Sequence, residues 1–164
     1  MAARKVIFSV LCLVIYFTCL VSSANIRDCG SKDGSIIKVD IEGCDNEARC
    51  PLVRGQNATL TATFKSNVTS NTLKAVVYGK LSFIKSKFPL PDPNACDLGV
   101  NCPLGPGQTN TYIVSIYVKE NYPTLSVDIE LHLRDDSGRD VICALIPAAV
   151  VAAVVDEDNG QQLK

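Results

Sequence analysis

The sequence predicts an all-β domain of sandwich type, and three features indicate it. Apolar and polar residues alternate with a period of two along several stretches, as in strands that face a core on one side and water on the other. Turn-forming residues separate these stretches, and no ten-residue segment beyond residue 24 shows convincing helical periodicity. Six cysteines in the same region favour a small domain stapled by disulfides.

The first 24 residues are predicted to be a secretory signal peptide. Arg4 and Lys5 precede an apolar run of 16 residues, Val6 to Val21, and the small residues Ser22 to Ala24 follow it. This run is shorter than the roughly 20 residues that span a bilayer comfortably, so an uncleaved membrane anchor is the less favoured alternative. Cleavage after Ala24 leaves 140 residues, which fits one domain with its own core.

One domain is predicted over residues 25–155, followed by a frayed polar tail over 156–164. Loss of two basic residues with the signal peptide leaves 14 of the 16 basic side chains against 17 acidic ones, a net charge of −3. This weakly acidic balance argues against nucleic acid as a partner. In a secreted protein, the sequons at Asn57 and Asn67 are candidates for glycosylation.

Six stretches are predicted as strands. In the first, Ile37, Val39 and Ile41 are expected to face the core while Lys38 and Asp40 face water. The remaining strand candidates are Leu60–Phe64, Leu73–Phe83, Tyr112–Val118, Leu125–Leu133 and Val141–Val151.

Turns and loops punctuate the strand candidates. Three prolines between Phe88 and Cys96 make that segment a stiff extended loop that a central strand could not contain. The run Asp135–Gly138 predicts a hairpin turn. Asp135, Asp136 and Asp140 lack the spacing of a calcium loop, so we interpret them as part of that turn.

The six cysteines beyond the signal peptide allow 15 pairings. Proximity in sequence favours Cys44 with Cys50 and Cys96 with Cys102. Cys29 and Cys143 would then form the remaining bridge, which closes a long loop and constrains the unfolded chain most.

Composition raises the question of an internal cavity. The sequence contains no tryptophan, and its inward strand positions carry mostly medium-sized aliphatic residues. Sandwich interiors are usually filled by large interdigitating side chains. A layer of leucine, valine, isoleucine and alanine could leave a cavity, or it could pack solid.

The cysteine framework and the motifs around it resemble the ML (lipid-recognition) domain family, particularly its Niemann-Pick C type 2 members. The similarity runs from about Asp28 to Val150 and includes every cysteine in that span. The matching motifs are Asp28-Cys29-Gly30-Ser31 with Asp33-Gly34, Cys44 and Cys50, Lys74-Ala75-Val76-Val77 with Gly79, Phe88-Pro89-Leu90-Pro91-Asp92-Pro93 with Cys96, Gly99-Val100-Asn101-Cys102-Pro103, Val118-Lys119 with Tyr122-Pro123, Leu133 with Asp135-Asp136, and Cys143 with Ile146-Pro147.

This resemblance implies an immunoglobulin-like β-sandwich of about seven strands in two sheets, with one lipid bound between the sheets. It also implies the bridges Cys29–Cys143, Cys44–Cys50 and Cys96–Cys102. Carried over to this sequence, the positions expected to bind the ligand are Leu52, Leu60, Phe64, Val77, Phe88, Val118, Tyr122, Pro123, Leu125, Ile129 and Leu131.

The sequence departs from the vertebrate members of the family in two ways. Smaller residues, Ala58, Leu131 and Ala144, stand where those members have large aromatic side chains, which predicts a wider or differently shaped pocket. The loop expected at the portal also carries Lys85 and Lys87. We hypothesise that one of them pairs with a carboxylate or phosphate headgroup at the mouth; solvated surface lysines are the alternative.

The function expected from this resemblance is carriage of a sterol, with fatty-acid or signal-lipid carriage and binding of microbial lipids as alternatives. The ligand would be handed to a bilayer or to a membrane sterol transporter. A monomer is expected, secreted or delivered to the lysosomal lumen. An extracellular recognition module with a solid core is the competing class of binding protein.

An enzyme is not expected, and neither is a cofactor or a metal. The only histidine, His132, falls on the polar face of its predicted strand, where we expect it to be solvated. No serine, cysteine or carboxylate is placed by the sequence to form a nucleophile–base pair with it.

Overall fold

The structure is a computed structural model that describes residues 26–45 and 47–153. The predicted signal peptide and the predicted tail lie outside these residues. Among the residues described, no helix is both long enough and apolar enough to cross a membrane.

The described chain consists of strands and one turn of 3₁₀ helix, Ala95–Asp97. The strands are β1 (Arg27–Asp28), β2 (Gly34–Ile41), β3 (Cys50–Val53), β4 (Asn57–Ser66), β5 (Lys74–Leu81), β6 (Ile84–Phe88), β7 (Thr109–Tyr117), β8 (Leu125–Arg134) and β9 (Asp140–Val151).

Two sheets form the sandwich. The larger has the order β1-β9-β8-β5-β6, with β3 also on β9, and the smaller has the order β2-β4-β7. All pairs are antiparallel except β3 and β9, which run parallel. The predicted all-β sandwich is therefore confirmed. The described residues divide into more strands than the seven expected, because the short β1, β3 and β6 each add to the larger sheet.

Three disulfides staple this architecture. Cys29–Cys143 ties the segment after β1 to β9, and Cys44–Cys50 closes the loop between β2 and β3. Cys96–Cys102 closes the loop that begins at the 3₁₀ turn. These are the pairs that proximity and the family resemblance favoured.

A β-bulge in β2 corrects the predicted orientation of Ile37. The register of β2 against β4 shifts between Ile36 and Lys38. The extra residue, Ile37, lies 57% exposed, and Ile36 packs against the core instead. A bulge places two residues opposite one, so it reverses the face of the residues on one side of it. Val39 and Ile41 keep the predicted inward orientation.

His132 is also corrected. It does lie on the outer face of β8, but it is only 6% exposed rather than solvated. The Tyr78 ring meets the imidazole edge-on at 5.5 Å between centroids. Cys143 Sγ lies 3.9 Å from His132 Nε2, so the Cys29–Cys143 bridge covers it as well.

The hairpin between β8 and β9 is built around the buried carboxylate of Asp135. Its Oδ1 accepts hydrogen bonds from the backbone N–H groups of Ser137 and Arg139. This supports the interpretation of the acidic run as a turn. Among the described residues, no group of three or more histidine, cysteine, aspartate or glutamate side chains is arranged to hold a metal ion.

Candidate functional site: an apolar cavity between the sheets

The two ends of the sandwich interior differ in how completely side chains fill them. At one end, which we call the solid end, large side chains from both sheets are completely buried and fill the space. The largest of them are Phe64, Leu73, Leu104, Tyr112, Leu133 and Ile142. At the other end, which we call the hollow end, the same strands carry smaller inward residues and leave a cavity.

The cavity has a volume of about 360 Å³. This lies within the range of about 300–1,000 Å³ that is typical of small-ligand sites. Every predicted ligand-binding position except Phe64 lines it: Leu52, Leu60, Val77, Phe88, Val118, Tyr122, Pro123, Leu125, Ile129 and Leu131. The structure therefore brings together predicted residues from five strands and from the β7–β8 connection around one space.

Phe64 is the predicted position that lies elsewhere. It faces inward on β4, as expected, but it is completely buried in the solid end and does not line the cavity. Its backbone pairs with Asn110 at the start of β7, whereas the cavity begins further along, at Leu60 and Val114. Phe64 closes off the solid end and does not form part of the cavity wall.

Ala58, expected from the sequence to enlarge the pocket, also lines the cavity. Several other lining residues were not singled out from the sequence: Ile41, Thr59, Gly79, Val114, Ile116, Tyr117, Val127 and Val150. Most of them share a strand and a face with predicted positions. Ala58 follows the inward parity of Leu60 on β4, and Val127 follows that of Leu125 and Ile129 on β8. Strand parity was the signal that could have found them.

The cavity wall is almost entirely apolar. None of the described residues that line it carries an acidic or basic side chain, and its polar side chains are Thr59, Tyr117 and Tyr122. Tyr117 is 51% exposed, and Pro123 is exposed as well. These exposed lining residues mark the place where the cavity opens to solvent. Such a site can enclose an apolar body and leave a polar group at the opening.

The structure places Lys85 and Lys87 away from this opening. The segment that the sequence suggested as a portal loop is the edge strand β6, paired with β5. Phe88 points into the cavity, so Lys87, its neighbour, lies on the outer face together with Tyr78. Lys85 Nζ donates to Glu130 Oε2 and stands over the Tyr78 ring, 4.4 Å from its centroid. Pairing with a ligand headgroup does not fit this geometry.

Lys85 belongs to a polar cluster on the outer face of the larger sheet, formed by Lys85, Glu130, His132, Arg134 and Asp140. His132 Nε2 lies 3.4 Å from Glu130 Oε2, and Nδ1 lies 3.0 Å from Asp140 Oδ2. Arg134 Nε donates to Asp140 Oδ1 at 2.8 Å. The hydrogen bond from Lys85 is the main cause that lowers the pKa of Glu130 below its ordinary value. The cluster braces the outside of the sheet whose inner side lines the cavity.

Comparison with known proteins agrees with the fold. The ML domain family matches residues 23–150 of this chain. The NPC intracellular cholesterol transporter 2 of Danio rerio is 38% identical over 147 residues, covering 90% of this chain and 97% of that protein. Homolog a of this transporter in Drosophila melanogaster is 39% identical over 125 residues, covering 75% and 84%.

A solved structure shows the same architecture. The Niemann-Pick type C2 protein from the Japanese carpenter ant superimposes with a TM-score of 0.73 at 29% sequence identity. The match covers 77% of this chain and 98% of the ant protein.

A disulfide-stapled sandwich with an apolar cavity between its sheets defines a class of proteins that bind hydrophobic ligands. The chain belongs to the ML domain family. It is a lipid-binding protein of that family, similar to the Niemann-Pick type C2 proteins over most of its length.

Proposed function

We propose that this protein binds and carries a sterol in the cavity at the hollow end. The observation that supports this best is the character of the wall, which combines an apolar surface with the absence of charged side chains among the described lining residues. A rigid apolar body gains about 25 cal/mol for each Å² that it removes from water. Relatives named cholesterol transporters, at 35–39% identity, support the same choice.

The polar headgroup of the ligand distinguishes a sterol from a fatty acid, which is the main alternative. A single hydroxyl can remain at the opening near Tyr117 and Tyr122, where water and phenol groups solvate it. A fatty-acid carboxylate finds no cation in the wall, and an unpaired charge inside it would cost several kcal/mol. A fatty acid would therefore have to keep its headgroup wholly in water.

Competition decides between these ligands. Delipidated protein is loaded with a fluorescent sterol and titrated with cholesterol and with a long-chain fatty acid. We expect cholesterol to displace the probe at sub-micromolar concentration, about −8 kcal/mol or tighter, and the fatty acid not to do so. Displacement by the fatty acid alone would favour carriage of fatty acids or signal lipids. Selective binding of a bacterial lipid instead would favour an immune role.

Handoff to a bilayer or to a membrane sterol transporter is part of the proposal. The tip of the β5–β6 hairpin carries Phe83, whose side chain is fully exposed, with Leu81 and Ile84 exposed beside it. The same hairpin contributes Gly79 and Phe88 to the cavity wall. Because this exposed apolar tip is attached directly to the wall, it is the place where the acceptor would meet the carrier.

We propose further that the protein acts as a secreted monomer, with the lysosomal lumen as the alternative destination. Asn57 and Asn67 are both exposed, which supports glycosylation at these sequons. No catalytic activity is proposed. His132 is enclosed between the carboxylates of Glu130 and Asp140 on the outer face.

A further inference from the structure

The cavity wall is built of strands except at one place. Val118, Tyr122 and Pro123 line the cavity and belong to the connection between β7 and β8. All other described lining residues lie within β2 to β9. Strand residues are held by ladder hydrogen bonds on neighbouring strands, so they cannot move aside singly. The β7–β8 connection is the part of the wall that has no ladder.

Two backbone hydrogen bonds fix only the beginning of this connection. Gly55 N–H donates to the Val118 carbonyl at 2.8 Å, and Val118 N–H donates to the Gln56 carbonyl at 2.9 Å. Further along, Tyr122 N–H donates to the Lys119 carbonyl at 3.1 Å, which closes a turn within the connection itself. That turn holds the connection in shape without attaching it to the rest of the protein.

Arg54 attaches the rest of the connection. Its Nη1 donates to the carbonyls of Glu120 and Tyr122, at 3.4 Å each, and the Tyr122 contact is partly buried. Arg54 itself is anchored, because its backbone N–H donates to the Val151 carbonyl at the end of β9 at 3.0 Å. In the described chain, no other side chain outside the connection donates a hydrogen bond to residues 120–124.

The position of this attachment matters for ligand passage. The exposed lining residues Tyr117 and Pro123 stand at the opening, on either side of the segment that Arg54 holds. A ligand that enters or leaves the cavity at these residues passes the β7–β8 connection, so movement of this segment would widen its path. Segments with few buried contacts and few hydrogen bonds open at the lowest free energy. The connection meets this description, and two long hydrogen bonds are readily broken.

We propose that Arg54 is a positioning residue that latches the β7–β8 connection over the cavity and sets the rate of ligand exchange. This inference rests on the proposed ligand-carrying function of the cavity. The latch is closed whether the cavity is empty or filled. Its removal therefore lowers the barrier to entry and to exit alike, and the equilibrium affinity stays the same.

The test compares Arg54→Met with a matched control, Arg49→Met. Methionine keeps the apolar stem of arginine and removes the donors. Arg49 also donates to a main-chain carbonyl, that of Ala148 at 3.2 Å, and pairs with Asp128 at 2.9 Å, and neither partner belongs to the β7–β8 connection. Stopped-flow association and dissociation of a fluorescent sterol are measured for both variants, together with equilibrium affinity and thermal stability.

We expect Arg54→Met to raise the association and dissociation rates by the same factor, about fivefold, as suits the loss of two weak hydrogen bonds. Affinity should stay within about twofold, and the Arg49→Met rates should match the wild type. Unchanged rates in Arg54→Met would overturn the proposal. A faster dissociation that appears wholly as weaker affinity would also overturn it, because the residue would then act as part of the wall.

Hydrogen exchange tests the latch without any ligand. In the empty protein, Arg54→Met should speed exchange of the Tyr122 amide, which is bonded to the Lys119 carbonyl, and leave the amides of β8 and β9 unchanged. Equal exchange in both proteins would contradict the latch even if sterol binds normally. Failure of the wild type to bind any sterol, with faster exchange in the variant, would instead count against the proposed ligand and leave the latch supported.

Discussion

The solid end and the hollow end share strands, sheets and connections, and they differ in the size of what points inward. On β4 the inward residue is Phe64 at the solid end and Ala58 at the hollow end. On β7 it is Tyr112 at the solid end and Ile116 at the hollow end. The cavity is therefore a property of side-chain volume rather than of topology. A few substitutions would separate a carrier from a solid recognition module on the same backbone.

The largest expected effect is a difference in stability between two substitutions on β4, one at each end of the interior. Phe64→Ala removes a completely buried ring from the solid end and should lower the free energy of unfolding by about 3–5 kcal/mol. Leu60→Ala, at a half-buried position facing the cavity, should cost only about 1 kcal/mol. Urea denaturation measures both. Equal losses would show that the two ends are packed alike.

A larger side chain in the hollow end should weaken sterol binding with little change in stability. Val114→Phe places a ring in the cavity, so sterol affinity should fall at least about 100-fold, or about 2.7 kcal/mol. Stability should change by less than about 1 kcal/mol, because the ring enters empty space rather than a packed core. Titration with the fluorescent sterol measures the affinity, and urea denaturation measures the stability. Retained affinity would place the ligand outside this cavity.

The tip of the β5–β6 hairpin should matter for transfer and not for binding. Phe83→Asp removes an exposed ring that a membrane acceptor would cover, and it should slow sterol transfer to anionic vesicles about tenfold. Equilibrium affinity should be unchanged, because Phe83 does not line the cavity. Ser137→Asp, in the hairpin at the solid end, is the control for added charge and should transfer normally. Equal slowing in both would refute a role for the tip.

The smallest expected effect concerns Lys85 and Glu130, in the polar cluster on the outer face of the larger sheet. The hydrogen bond from Lys85 lowers the folded-state pKa of Glu130 below its ordinary value of 4.5. The stabilisation is therefore fully present above that pH and is lost as the pH falls through the folded-state pKa. Lys85→Met should lower stability near pH 7 by less than about 1 kcal/mol, because the lysine is largely exposed. Unfolding curves of the two proteins should converge toward pH 3. A constant gap would assign the effect to packing.

For β2, β4, β7 and β8 the sequence predicted which face is buried, with one exception, and it could not predict depth along the strand. Leu60 and Phe64 have the same parity on β4, yet only Leu60 reaches the cavity. Parity reports the direction of a side chain, whereas the boundary between the two ends depends on what the opposite sheet brings to the same level. Ile37 is the exception, since a bulge interrupts the period of two where Ile36 and Ile37 stand side by side.

The sequence also could not predict which side chains cover the outer faces of the sheets. His132 is polar and lies at an outward position, so the pattern suggested exposure. Its burial comes from Tyr78 on β5 and from a disulfide between residues 114 positions apart. The lysines of β6 were expected at the opening because the family resemblance placed them in the portal loop. Pairing of β6 with β5 turns them to the opposite side, and pairing partners are a long-range property.

The place of β9 in the larger sheet has a consequence for how the protein is made. Two short strands, β1 and β3, pair within this sheet with β9 alone, along successive parts of its edge. Residues 26–53 therefore leave the ribosome long before their partner, residues 140–151, has been synthesised. The early strands must wait with unpaired edges, and the sheet assembles only after most of the chain has emerged. The larger sheet should therefore complete its pairing only after β9 has been synthesised, and the Cys29–Cys143 bridge can form only then.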